Sequence, residues 1–155
     1  MTIKVIVFVI INFAALGLGG WLMGEGASSE WYQNLNKAPW TPPGWTFGAA
    51  WFTIMVCFGF YMARLWELET NHNYLLLWFV IQWILNVAWN PAFFRFHQPL
   101  IGLIIITALT LLVGYVLARY GSKLKGWSLF IAPYFIWLLI ATSLNGYIYL
   151  KNQGV

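Results

Sequence analysis

Apolar residues run through this chain in five long blocks, and polar residues collect in the gaps between them. Each block approaches the roughly 20 residues that an α-helix needs to cross a bilayer. The pattern predicts membrane spans over 5–23, 46–66, 74–94, 100–120 and 128–150. Transmembrane strands would alternate in segments of about ten residues, a pattern these continuous runs do not show. The first block resembles a signal peptide only in outline, because it is longer than an h-region and no A-x-A site follows. It reads as a retained span. The expectation is an all-α integral membrane protein, one transmembrane domain over 1–155 built as a five-helix bundle.

Most gaps are short, as in a compact bundle. The exception is 24–45, which carries Trp31, Trp40, Trp45, Pro39, Pro42 and Pro43 and runs into Trp51, about one turn into the second span. Prolines preset φ and remove donors, so this loop is stiff for its length. A stiff aromatic loop over helix ends predicts a lid capping an internal pocket. The alternative for any one tryptophan is the aromatic belt at the membrane interface.

Polar side chains inside the spans tend to face the bundle interior. In span three Trp78, Gln82, Asn86, Trp89, Asn90 and Phe93 share a helical stripe. Span five repeats it with Tyr134, Trp137, Ala141 and Asn145. Span two places Phe47, Trp51, Met55 and Phe58 on one face, and span one aligns Asn12, Leu16 and Gly19. Span four offers a small-residue row, Thr110, Gly114 and Ala118, suited to close helix approach as scaffold or dimer contact. Two readings of the amides stand: interhelical hydrogen bonds, or a pocket with aromatic faces and a few neutral polar groups. Pro91 should kink or end span three.

Composition sharpens this picture. The chain is 61% hydrophobic, 20% aromatic and 8% charged, with a mean hydropathy of +0.72. A soluble domain carries about a quarter charged residues, so this surface must face lipid. Eight Lys/Arg against four acids give +4, but they are spread over the gaps, and a nucleic-acid partner is not expected. Lys4, Arg64, Arg119, Lys123 and Lys125 fall on one side of a five-span topology. Lys37, Arg95 and Lys151 fall on the other. The positive-inside rule then puts the N-terminus inside and the 24–45 loop outside.

The residues also exclude chemistry. Cys57 is the sole cysteine, in an apolar helix that disfavours its thiolate. His72 and His97 lie in connections at opposite faces, so no metal site is expected. No catalytic triad or paired-carboxylate site can be assembled, and no span centre carries the ionisable group of a proton-coupled transporter. Tryptophan remains, as an electron donor to an excited or oxidising ligand stacked on it.

Three pieces of this sequence resemble the translocator protein family, also called tryptophan-rich sensory proteins, peripheral-type benzodiazepine receptors or TspO/MBR proteins. The first runs from Trp31-Tyr32 through Leu35, Lys37, Trp40, Pro42-Pro43, Trp45 and Phe47 to Trp51. The second covers Gln82, Asn86, Trp89, Pro91 and Phe93-Phe94. The third runs from Pro133-Tyr134 through Trp137 and Ala141-Thr142 to Leu144-Asn145. The chain departs from the family at Lys37-Ala38, where Lys-Pro is usual, and at Ile54-Met55, where Leu-Tyr is familiar.

The resemblance implies a five-helix bundle, often a homodimer, whose pocket binds porphyrins and haem-related tetrapyrroles, benzodiazepine or isoquinoline drugs, and in eukaryotes cholesterol. It implies a ligand-binding set of Tyr32, Pro42, Phe47, Trp51, Asn86, Trp89, Trp137, Ala141 and Leu144. Leu144, Tyr147 and Lys151 nominally meet a cholesterol pattern that is common by chance in apolar helices. The expected function is porphyrin sensing, scavenging or light-dependent degradation, with Trp51 and Trp137 as candidates for supporting photo-oxidation and no cofactor required. The alternative is a passive translocator of porphyrin, sterol or lipid-like molecules. The expected location is a prokaryotic cell membrane.

Overall fold

The computed structural model describes residues 1–153. Helix α1 covers Thr2–Leu22 and leads through a 3₁₀ turn, Gly26–Ser28, into the five-residue helix α2, Glu30–Asn34. Helices α3 (Gly44–Leu68), α4 (His72–Asn90), α5 (Pro99–Leu124) and α6 (Ala132–Lys151) follow, with a 3₁₀ segment, Lys125–Phe130, before α6. No strand occurs among the described residues. Four stretches, Thr2–Ser28, Gly44–Leu68, His72–Arg95 and Pro99–Phe130, are long and apolar enough to cross a membrane. The chain is therefore a multi-pass, all-helical integral membrane protein. Helix α6 has 20 residues, enough to span about 30 Å, but Thr142, Ser143, Asn145 and Gly146 dilute its apolar character.

Local chemistry sets the boundaries. Pro43 holds an extended φ/ψ of −55/147 and α3 begins at the next residue. Proline disfavours helix for the residue before it, so the Pro42-Pro43 pair keeps the loop extended up to that point. Asn71 caps α4 by accepting the Tyr74 N–H at 3.0 Å. At the other end of α4, Pro91 has no N–H for the helical ladder. The α-helix ends at Asn90, as expected of the proline, and residues Pro91–Arg95 continue as a π-helical turn, closed by the Phe96 N–H on the Pro91 carbonyl at 2.9 Å.

The long helices close a ring in the order α1, α4, α5, α6, α3. Helix α1 approaches α3 closely because position 59 is glycine. A Cβ there would meet the Val9 side chain and lie 3.2 Å from the Val9 backbone nitrogen. At the end where the chain begins, the ring is filled solid by Phe58, Tyr61, Met62, Leu65, Leu75, Phe79 and Tyr134, all buried. The Met1 amino group, Lys4 and Arg64 share the Glu67 carboxylate there at 3.1–3.3 Å.

Most polar groups inside the spans are consumed by helix–helix bonds. Asn12 donates to the Met55 carbonyl at 3.1 Å, and Trp83 to the Ile11 carbonyl at 3.1 Å. Tyr134 donates to Gln82 at 3.0 Å. The small-residue row of α5 is spent inside the bundle. Thr110 meets Thr142 of α6 at 2.9 Å, and a Cβ on Gly114 would lie 2.9 Å from the Phe135 ring. Of the two expectations for that row, scaffold is the one seen within a single chain.

Candidate functional site

The 24–45 loop is folded down onto the bundle by its own side chains. Asn36 and Asn152 exchange two hydrogen bonds, at 2.9 and 3.2 Å, and tie the loop to the end of α6. Trp40 donates its indole N–H to Ser143 at 3.1 Å and packs edge-on against Tyr147. Leu35 is buried against Phe93 and Ile148. Trp31 stacks on His97 with ring centroids 4.3 Å apart. Of the three tryptophans expected in the loop, Trp31 and Trp40 anchor it, while Trp45 falls in the first turn of α3 and is 75% exposed, as a membrane-interface residue would be.

Beneath the loop, between α1, α3 and α4, lies a cavity of about 460 Å³. That falls within the roughly 300–1,000 Å³ of small-molecule pockets. Its walls carry the rings of Tyr32, Phe47, Trp51, Trp89 and Phe94, the small residues Gly20, Gly44 and Gly48, and the amides Gln33, Asn86 and Asn90. Among the described residues Lys37 is its one charged lining residue; its ammonium donates to the Gln33 carbonyl at 2.9 Å and sits 4.9 Å from the Tyr32 ring centroid. Burial pushes the Tyr32 phenol above its ordinary value, so it stays neutral at physiological pH.

Asn86 differs from the other amides of the spans. Gln82 accepts from Tyr134, and Asn145 bonds both Trp89 and the Pro99 carbonyl. The Asn86 side chain lines the cavity and, among the described residues, makes no hydrogen bond of its own. Asn90 donates to the Asn86 carbonyl at 3.1 Å, holding its amide at the cavity wall. The two readings of the amides therefore apply to different residues. Gln82, Asn12 and Asn145 join helices, and the Asn86 side chain faces the cavity.

Six of the nine expected ligand-binding residues come together here: Tyr32, Pro42, Phe47, Trp51, Asn86 and Trp89. Trp137, Ala141 and Leu144 are buried and do not line the cavity. The Phe47 ring lies between Trp137 and the cavity, edge-to-face with Trp137 at 5.2 Å. The Trp89 indole similarly covers Asn145 at 3.0 Å. On its other side Trp137 lines a groove between α3 and α6 with Thr46, Ala50 and Pro133. Sequence reasoning missed the α1 wall, Leu16, Gly20 and Met23. The only trace of it was the alignment of Leu16 with Asn12 and Gly19.

A model of the TspO/MBR family matches residues 8–150. The chain belongs to the TspO/MBR family. It is 33% identical over 153 residues to the tryptophan-rich protein TspO of Archaeoglobus fulgidus, covering 98% of this chain and 99% of the relative. It is 28% identical to the protein CrtK of Rhodobacter capsulatus, over 99% and 96% of the two chains. It is 29% identical to the human translocator protein, over 84% and 79%. The TspO/MBR match contains every residue that lines the cavity.

Proposed function

We propose that this TspO/MBR protein binds a porphyrin or related tetrapyrrole in the cavity beneath the 24–45 loop, and acts in porphyrin sensing, scavenging or light-dependent breakdown. The observation that carries this reading is the combination of aromatic faces, one unpartnered amide and one cation in the same cavity. A flat apolar macrocycle stacks on rings such as Trp51 and Trp89, each contact worth about 0.5–1.5 kcal/mol beyond burial. Asn86 is placed for a pyrrole N–H or carbonyl, and Lys37 for a propionate. No histidine among the described residues lines the cavity, which favours a free-base ring over axial iron ligation. Trp51, whose ring is part of the wall, is the electron donor to an excited ring. Trp137 stands behind Phe47 and supports it.

The same reading takes α6 as a fifth crossing, the loop as the cap, and the N-terminal end as the inner face. The packed half of the bundle below Trp51 argues for binding over passage, since Met55, Phe58 and Tyr61 close the interior there. Isoquinoline or benzodiazepine-type drugs suit the same aromatic walls, and a sterol is the least suited because the cavity carries several polar groups. The homodimer expected of the family belongs to this proposal too.

The test is a titration of protoporphyrin into the reconstituted protein, followed by tryptophan quenching in the dark and by porphyrin bleaching in the light. Trp51→Phe should bind within about tenfold of wild type, as loss of part of one ring contact allows, and bleach far more slowly. Lys37→Gln should weaken dicarboxylic porphyrin several-fold and leave its dimethyl ester unaffected. Unchanged affinity in Lys37→Gln together with unchanged bleaching in Trp51→Phe would sink the assignment. Protein-dependent porphyrin flux into liposomes would favour the translocator instead.

A further inference from the structure

A second cleft, of about 510 Å³, opens at the end of the bundle away from the aromatic cavity. Arg64 and Leu68 at the end of α3 meet Lys123 near the end of α5, and Lys125, Trp127 and Phe130 of the 3₁₀ segment that follows. No carboxylate among the described residues lines it. The nearby acids are engaged elsewhere. Glu67 is divided among the Met1 amino group, Lys4 and Arg64, and Glu69 accepts from Tyr120 at 2.9 Å. Neither Lys123 nor Lys125 forms an ion pair among the described residues. The Arg64 Nε is buried with no hydrogen-bond partner, while its guanidinium lies 6.0 Å from the Trp127 ring centroid. Lys125 itself holds a φ of 49°, the left-handed region that a glycine would enter freely.

These groups describe a receptor for an anion that carries an apolar tail. Two ammonium groups outside any ion pair, one of them 5.8 Å from the Tyr120 ring centroid, and a guanidinium that meets Glu67 through one nitrogen suit a phosphate diester. Around them, Phe130 packs on Phe60 at 5.7 Å on the outer surface of α3, and Leu129 is 74% exposed. This apolar apron runs along helices that cross the membrane. A soluble phosphate would have no use for it. Basic clefts between transmembrane helices at one face are the usual geometry for holding lipid headgroups.

We propose that this cleft is a binding site for the headgroup of an anionic phospholipid. Arg64, Lys123 and Lys125 hold the phosphate, and the acyl chains lie along Phe130 and Phe60. The site is independent of the aromatic cavity and of whatever binds there.

Native mass spectrometry of the full chain in mild detergent, with equimolar phosphatidylglycerol and phosphatidylcholine, tests it. Wild type should retain one phosphatidylglycerol per chain in preference to phosphatidylcholine. The double variant Lys123→Gln/Lys125→Gln should bind phosphatidylglycerol roughly thirtyfold more weakly, from the usual contribution of each lysine near an anionic surface. Lys151→Gln, at the opposite end, should bind as wild type does. Equal retention of the two lipids by wild type overturns the proposal without reference to any variant. So does a double variant that keeps its phosphatidylglycerol. Displacement of the lipid by millimolar inorganic phosphate would make the cleft a free-phosphate site, and would also overturn it.

Discussion

Asn145 is the residue through which α4, α5 and α6 are joined beside the cavity. It is buried, accepts the Trp89 indole N–H at 3.0 Å, and donates to the Pro99 carbonyl at 2.8 Å. Replacing it with leucine keeps the volume and removes both bonds. The Pro99 carbonyl, in the first turn of α5, retains its place in the helical ladder. The Trp89 indole N–H has no such reserve. Side-chain hydrogen bonds within membranes average about 0.6 kcal/mol and reach about 1.7. Two lost bonds plus one stranded, partly buried donor, at about 1–3 kcal/mol in general, put the expected loss at about 2–4 kcal/mol.

Trp89→Phe offers the matched comparison, because it removes the donor and leaves an aromatic wall. The double variant Asn145→Leu/Trp89→Phe should then be less destabilised than the sum of its parts, since no indole N–H remains to be stranded. Reversible unfolding in mixed micelles measures all four corners of that cycle. Porphyrin affinity should also fall in Asn145→Leu, because Trp89 is free to rotate out of the wall, and should not fall further in the double variant. A coupling energy inside the ~0.3–0.5 kcal/mol scatter of independent sites would refute the idea that Asn145 positions Trp89.

Two further outcomes follow from the packing and from the polar end. Gly59→Val should destabilise the fold by about 1–3 kcal/mol through overpacking against Val9, whereas Gly48→Ala, where nothing lies within 4 Å of the added carbon, should change thermal stability little; equal effects in the two would contradict the close α1–α3 approach. Hydrogen bonds from the Asn71 backbone N–H and then the Tyr120 hydroxyl hold the Glu69 carboxyl below the usual glutamate range. A depressed folded value means that Glu69 adds stability above the ordinary pKa of about 4.3 and loses it as pH falls through the folded value. Glu69→Gln should flatten that acid limb in a melting-temperature profile, and a limb of unchanged steepness would exclude Glu69 as its source.

The spans were legible because lipid demands long apolar runs, and nothing subtler than that demand was needed to find α1, α3, α4 and α5. The junction between the fourth and fifth apolar blocks shows the limit, because α5 runs on to Leu124 rather than ending at 120. Lys125, at a positive φ, lets the chain turn at the end of α5 and pass through a 3₁₀ segment, so α6 starts at Ala132 rather than 128. A non-glycine residue at such a turn leaves no signal in hydropathy. Pro91 was visible as a disruption, but whether a proline ends, kinks or widens a helix depends on what its neighbours offer. Here Phe93 is packed between α5 and the loop, Ala92 is buried, and the π-turn lets both stay inside.

The site divides along the same line. Stripes at helical spacing name the residues that face inward, yet they do not say whether an inward residue meets a ligand or another helix. Asn86 and Asn145 carry the same side chain on comparable stripes, and the difference between them is a partner: Asn145 has Trp89 and Pro99, and the Asn86 side chain has none among the described residues. Likewise Trp51 and Trp137 looked equivalent, but the Phe47 ring stands in front of one of them. If Phe47 is what keeps α6 out of the cavity, Phe47→Ala should extend the cavity to Trp137 and make a ligand sensitive to Trp137→Phe when it is insensitive in the wild-type background. That conditional sensitivity is the signature of a wall two residues thick. Sequence spacing describes only a wall one residue thick, and for that reason it put Trp137 and Ala141 on the same footing as Trp51, while Leu144 entered through the family resemblance alone.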